Sequence, residues 1–205
     1  MGHVTAALLG FHERFIDAPR TRRVAATLAE LIGPAGTVLD VGCGDGEVGR
    51  ALARLAGCEV TGVDVDPLPG AARYDGARLP SDDGAFDAVV LSDVLHHARD
   101  RELLLSEALR VARRRVVIKD HYRFGPVSSA VLLAMDRVGN AARPGPRNGP
   151  YFSPDSFRAF VERAGATVVA CRWPLRVHDL PFRIVARDRL HFAAAIERRA
   201  TVSPR

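Results

Sequence analysis

The chain is poor in cysteine and nearly devoid of lysine. Cys43, Cys58 and Cys171 are its three cysteines, and no two have C-x-x-C spacing. That speaks against a disulfide framework and a structural zinc site, and it fits a reducing cytoplasm. No run of about eighteen apolar residues occurs, so the sequence offers no membrane span. The apolar N-terminus, MGHVTAALLGFHERF, is broken by His, Glu and Arg and lacks a small-residue cleavage site. It does not read as a signal peptide. No repeat of solenoid period is present. Lys119 is the one lysine among 29 basic residues, and the net charge is +5. The arginines are scattered. Their densest runs are short, Arg113, Arg114 and Arg115, then Arg198 and Arg199. Such runs read as solvated faces and not as a stripe for a polyanion, which argues against a nucleic-acid partner.

What is present suits a single domain spanning all 205 residues. The chain is 47% hydrophobic and 26% charged, enough to bury a real core. Apolar residues recur at helical spacing over residues 3–32, with a break at Pro19 and a stop at Gly33-Pro34. Short apolar runs then alternate with helical segments. Strands are expected at 37–41, 58–64, a short one ending near Asp75, 86–91 and 115–119. Helices are expected at 47–56 and 99–113, the latter with Leu103, Leu104, Ala108, Leu109 and Ala112 on one side. The strands are continuously apolar, as in a sheet covered by helices on both faces. This is the pattern of a doubly wound α/β fold. A helix over 126–139, a Pro/Gly/Asn-rich loop over 143–150, a helix capped by Ser153 and a sixth strand over 166–173 follow. Residues 190–197 read equally as strand or helix.

The most informative stretch is residues 38–46, VLDVGCGDG. Glycines after a first strand permit a sharp turn and close approach of a ligand. Gly44-x-Gly46-x-x-Gly49 also satisfies the dinucleotide fingerprint. Charge separates the two candidate cofactors. Asp40, Asp45 and Glu47 surround the turn, and two unit charges about 4 Å apart interact by about 4 kcal/mol at an effective dielectric of 20. A pyrophosphate would be repelled there. S-adenosylmethionine carries an ammonium and a sulfonium and no phosphate. Asp64, eighteen residues after Gly46, is placed to accept both ribose hydroxyls. Asp75 is placed to accept from an adenine amino group.

In these segments the sequence resembles the class I S-adenosylmethionine-dependent methyltransferases, particularly the broad group that includes ubiquinone and menaquinone biosynthesis enzymes. The carrying residues are 40–46 (DVGCGDG), 60–67 (VTGVDVDP), 75–80 (DGARLP) and 86–97 (FDAVVLSDVLHH). The resemblance implies a Rossmann-like seven-stranded sheet whose last strand is antiparallel. It places Asp40, Gly42 and Gly44 at the methionine portion, Asp64 on the ribose and Val65 against the adenine. It places Asp75 and Gly76 at the adenine edge and Ser92 near the transferable methyl. It also makes residues 1–34 a helical cap and 123–165 a substrate-side insertion.

Methyl transfer is an in-line displacement in which alignment supplies most of the catalysis, and a base is needed only if the acceptor loses a proton. His121, after the fifth strand, is the preferred base, and His97, after the fourth, is the second candidate. Asp93, Asp120 and His121 are conceivable metal ligands. Without a dense acidic cluster, no metal is expected. Cys43 fits its turn by small size. After strand four stands Ser92-Asp93-Val94-Leu95, not the Asn/Asp-Pro-Pro-Tyr motif of base and glutamine methylases. Apolar positions such as Val127, Val131, Leu132, Leu133 and Met135, with Arg137, Arg143 and Arg147, suggest a small organic acceptor. The alternatives are an RNA methyltransferase using the arginine surface and a non-catalytic cofactor-binding protein. The expected location is the cytoplasm.

Overall fold

A computed structural model describes residues 18–139, 151–180, 182–185 and 187–199. Helix α1 (Ala18–Ile32) leads into β1 (Thr37–Val41), α2 (Glu47–Ala56), β2 (Glu59–Asp64) and a two-residue β3 (Ala72–Arg73). Then come β4 (Phe86–Ser92), α3 (Arg101–Val111), β5 (Ala112–His121), α4 (Pro126–Gly139) and α5 (Pro154–Arg163). The chain ends in β6 (Ala166–Arg172), a short α6 (Phe182–Val185), a 3-10 turn (Asp188–Leu190) and β7 (His191–Arg198). The helix starts are set by local chemistry. Asp100 accepts from the Glu102 and Leu103 amides at the head of α3. Ser153 and Ser156 form a reciprocal capping box, with Pro154 in the first turn of α5.

The sheet order is β3-β2-β1-β4-β5-β7-β6. Strands β1 to β5 pair in parallel, while β7 lies antiparallel between β5 and β6. Alternate residues of each strand serve opposite faces. Val38, Ala88, Val90, Val117, Ala193 and Ala195 pack with Val24, Leu28, Leu31 and Leu52 of α1 and α2. Leu39, Val89, Leu91, Val116, Ile118 and Phe192 pack with Leu104, Leu105, Phe157 and Phe160 of α3 and α5. Each of the buried Val, Leu, Ile and Phe side chains contributes about 1.5–3 kcal/mol of apolar transfer. Burial on both faces explains why the central strands read as unbroken apolar runs.

The structure adjusts several expectations. The ambiguous tail resolves as strand from His191 onward, Leu190 closing the preceding 3-10 turn. Helix α3 stops at Val111, and residues 112–114 open a longer β5 beside Phe86. Leu103 is 42% exposed, and Leu105 takes its place in the core. Pro19 sits in the first turn of α1, where proline is tolerated. Strand β3 ends before Asp75. The helical reading of residues 3–17 and the 143–150 loop lie outside the described residues. No helix among the described residues is long and apolar enough to cross a membrane.

Candidate functional site

Strand β1 pairs in parallel with β2 on one side and β4 on the other, so the chain reverses its order at β1. Ligands of open α/β sheets bind beyond the carboxyl ends of the strands at such a switch point. The glycine loop closes over that edge. The Gly42 and Cys43 amides both donate to the Val63 carbonyl, tying the loop to β2. Gly42 has φ 71°, and a Cβ there would lie 2.5 Å from Val94. Its small size therefore also serves packing against the segment after β4. Gly62 likewise makes room for the Cys43 sulfur. Burial pushes the Cys43 thiol up to about 11, reinforced by the Asp40 and Asp64 charges, so it stays protonated.

The predicted cofactor residues fall around this edge. Asp40 is buried beneath the loop, and its Oδ2 has no hydrogen-bond partner. Burial, with Asp64 and Asp45 nearby, lifts its pKa to about 7. A cavity of about 160 Å³ beside it is lined by Cys43, Gly44, Gly46 and Arg50 among others. That is smaller than the roughly 300–1,000 Å³ of whole small-molecule sites, so it suits a terminal group or water. Asp64, at the tip of β2, accepts from the Gly44 amide at 2.9 Å and from the Asp66 amide at 3.0 Å. Val65 is 49% exposed, leaving an apolar surface next to it. Gly76 has φ 80°, and Ser92 ends β4 half-buried.

Three of the acids stand exposed. Asp45 and Glu47 are exposed, and Asp45 caps the Glu47 amide at 3.0 Å. The inward negative charge near the turn comes from Asp40 and Asp64. Asp75 is exposed, and its Oδ1 accepts from the Ala77 and Arg78 amides. Those bonds hold its carboxyl below the usual range.

A buried polar cluster fills the space beyond β4 and β5. Asp93, in the left-handed region at φ 58°, takes both carboxylate contacts of Lys119 Nζ, at 2.5 and 2.7 Å. Arg20 of α1 reaches the same carboxylate at 2.8 Å. Burial alone would raise Asp93, but Lys119, His121 and Arg20 hold it well below the usual carboxylate range. Nearby, His96 Nδ1 lies 2.6 Å from Asp120, and its Nε2 lies 3.6 Å from Asp136 of α4. Burial disfavours charge on His96, yet Asp120 overcomes it and lifts the ring to about 10. Tyr151 donates its hydroxyl to Asp136. His121 is buried, with Nδ1 3.5 Å from both Asp93 and Asp120, and burial lowers its pKa. His191 of β7 stands in register opposite His121. His97 is half-buried, its ring 4.0 Å from that of His96.

Residues 12–171 match a protein family described as a methyltransferase domain. The chain belongs to this family. A sarcosine/dimethylglycine N-methyltransferase of Halorhodospira halochloris is 34% identical over 119 residues, which cover 49% of this chain and 43% of that relative. A ribosomal protein L11 methyltransferase of Burkholderia mallei is 39% identical over 83 residues, covering 35% and 28%. The chain thus matches less than half the length of these curated relatives. Among solved structures, a Burkholderia thailandensis 1,6-didemethyltoxoflavin-N1-methyltransferase with bound 1,6-didemethyltoxoflavin and S-adenosylhomocysteine superposes with a TM-score of 0.60. It shares 19% identity over 87% of this chain and 77% of that one.

The edge of this methyltransferase-family sheet fits S-adenosylmethionine. A buried carboxylate oxygen without a partner lies under the glycine loop, where a cationic group is favoured over a phosphate. Sequence reasoning missed Lys119, Asp136 and Tyr151. Lys119 carried a usable signal as the single lysine, standing inside an apolar strand. The pairing of Asp136 and Tyr151 with the histidines depends on how α4 folds back, which no spacing encodes.

Proposed function

We propose that the protein transfers the methyl group of S-adenosylmethionine to a small organic acceptor held against the cluster beyond β4 and β5. The observation that carries this reading is adjacency. The switch-point edge with Asp64 and the buried His/Asp/Tyr cluster share the carboxyl ends of neighbouring strands. Sarcosine/dimethylglycine and didemethyltoxoflavin, named for two of the similar proteins, are both small.

When bound, the cofactor supplies a methyl carbon activated by a sulfonium. The chain's own residues do the rest. Asp64 accepts from the ribose hydroxyls, Val65 flanks the adenine, and Asp75 with Gly76 borders its amino edge. Gly42 and Gly44 let the backbone approach the methionine portion, where Asp40 supplies negative charge. Ser92 faces the reaction centre. That carbon would be open to the acceptor's lone pair, with the cofactor's sulfur as the leaving group. His121 Nδ1, buried and without a hydrogen-bond partner, takes the acceptor's proton where one is lost. His97 is the second group in reach of that position. Residues 1–34 and 123–165 of a single domain supply the acceptor walls, α4 contributing Leu132 beside Tyr151.

Two measurements test this. Calorimetry with S-adenosylmethionine, its demethylated product and NAD should show binding of the first two alone. Asp64→Ala should weaken that binding by about 1–3 kcal/mol through lost hydrogen bonds to a charged group. Incubation with methyl-labelled cofactor and small-molecule extracts should transfer label to acceptors below protein size. Binding of NAD in its place, or label recovered only in macromolecules, refutes the reading.

A further inference from the structure

We propose that His96 Nε2, a ring nitrogen of His97 and a carboxylate oxygen of Asp136 form a site for one divalent cation of borderline softness, zinc or cobalt. The three ligand atoms lie within 4.8 Å of one another. His96 Nε2 is buried and makes no hydrogen bond. At 3.6 Å from Asp136 Oδ1 it is too far for one. Ligands about 2.0–2.2 Å from a common metal stand roughly 3–3.5 Å apart, close to that separation. The two groups stand as a loose ion pair at a spacing near that of two ligands on one ion, and a cation would have to displace the proton that the raised pKa of His96 keeps on Nε2.

The surrounding hydrogen bonds point the same way. His96 Nδ1 is committed to Asp120, whose Oδ1 also accepts from the His121 amide at 2.7 Å. That carboxylate fixes the ring with Nε2 facing Asp136. Tyr151 binds the other oxygen of Asp136 and leaves Oδ1 toward His96. Both ligands are thus oriented by a second hydrogen bond, the arrangement that tunes metal-binding histidines and carboxylates. Charge agrees as well. Asp93 is neutralised by Lys119 and Arg20. Asp120 and Asp136 are partnered, among the described residues, by histidines and Tyr151. Two imidazoles and one carboxylate favour zinc, cobalt or ferrous iron over magnesium or calcium.

Binding of the ion stands independently of methyl transfer. A catalytic use rests on the methyltransferase reading. An acceptor hydroxyl or amine occupying an open coordination position would lose its proton more readily. His97 would then be a ligand, with His121 left as the base.

The test uses the full chain stripped with chelator. Titration with Co2+ should give visible absorption saturating at one equivalent, and Zn2+ should displace it. His96→Ala and Asp136→Asn should each lower affinity at least about 100-fold. Asp120→Asn should lower it about 10- to 100-fold through loss of ring orientation. His191→Ala, outside the trio, should bind as the parent does. Circular dichroism checks each variant; should His96→Ala unfold, Asp136→Asn and the half-buried His97→Ala decide. No saturable binding by the parent chain, or parent-like binding by Asp136→Asn and His97→Ala, overturns the site. Cofactor calorimetry on the same stripped samples separates failure of the metal site from failure of the methyltransferase reading.

Discussion

Lys119 shows what a single buried residue demands of its neighbours. A fully buried ammonium must be paired, and Asp93 supplies the charge from a backbone conformation that few residues tolerate. Burial drives the lysine pKa down, opposed by Asp93. Lys119→Met leaves Asp93 half-paired and should cost about 3–5 kcal/mol in urea unfolding. Adding Asp93→Asn, which keeps a residue tolerant of the left-handed region, should recover part of that loss. Asp40 makes a second case at this scale. Its folded pKa, about 7, lies above the ordinary aspartate value of about 3.9. Between those pH values the folded chain holds a proton the unfolded chain has lost, so this group lowers stability as pH rises from about 4 to 7. Asp40→Asn should therefore gain stability relative to the parent above pH 7, up to about 4 kcal/mol, and show no difference near pH 4. Cofactor affinity of the parent should also increase with pH across that window as the carboxylate ionises. A parent–variant difference that is flat with pH contradicts the assignment.

At the scale of elements, α1 couples the core to the site. Leu28 and Ile32 are fully buried against the sheet, while Arg20 reaches Asp93 and Arg23 reaches Asp179 at 2.5 Å. Leu28→Ala should cost about 2–5 kcal/mol, measured by denaturant unfolding with an unchanged m-value. Element type was largely legible because periodicity is a local property. The strands at 37–41 and 86–91 stand almost where the apolar runs place them. Boundaries were less legible where two signals overlapped. Ala112 and Arg113 continue the helical pattern of α3, but sheet pairing begins at Ala112. The tail resolved as strand because β7 finds two partners, a long-range gain that periodicity does not register.

For the molecule as a whole, several arginines of the two short basic runs have partners within the chain. Arg113 pairs with Asp87, Arg115 with Glu197, and Arg114 and Arg198 with backbone carbonyls. They knit strand ends and helices together. Whole-molecule stability should respond to the cofactor by mass action. At about one hundred times the dissociation constant, S-adenosylmethionine should add about 2.7 kcal/mol, raising Tm by about 5–10 °C for a chain of this size. NAD at the same concentration should leave Tm unchanged, as read by scanning calorimetry.

The order of strands and helices, the glycine turn and the acids after β1 and β2 followed from the linear order of residues, because turn chemistry and apolar periodicity act over a few positions. Which acids face inward was decided by the fold. Asp40 and Asp64 turn toward the loop while Asp45 and Glu47 stand in solvent. The meeting of His96, Asp120, Asp136 and Tyr151 was likewise settled only in three dimensions. Those contacts join β5, α4 and the segments after β4 and before α5, and separations of 15 to 40 residues leave no periodic trace in the chain.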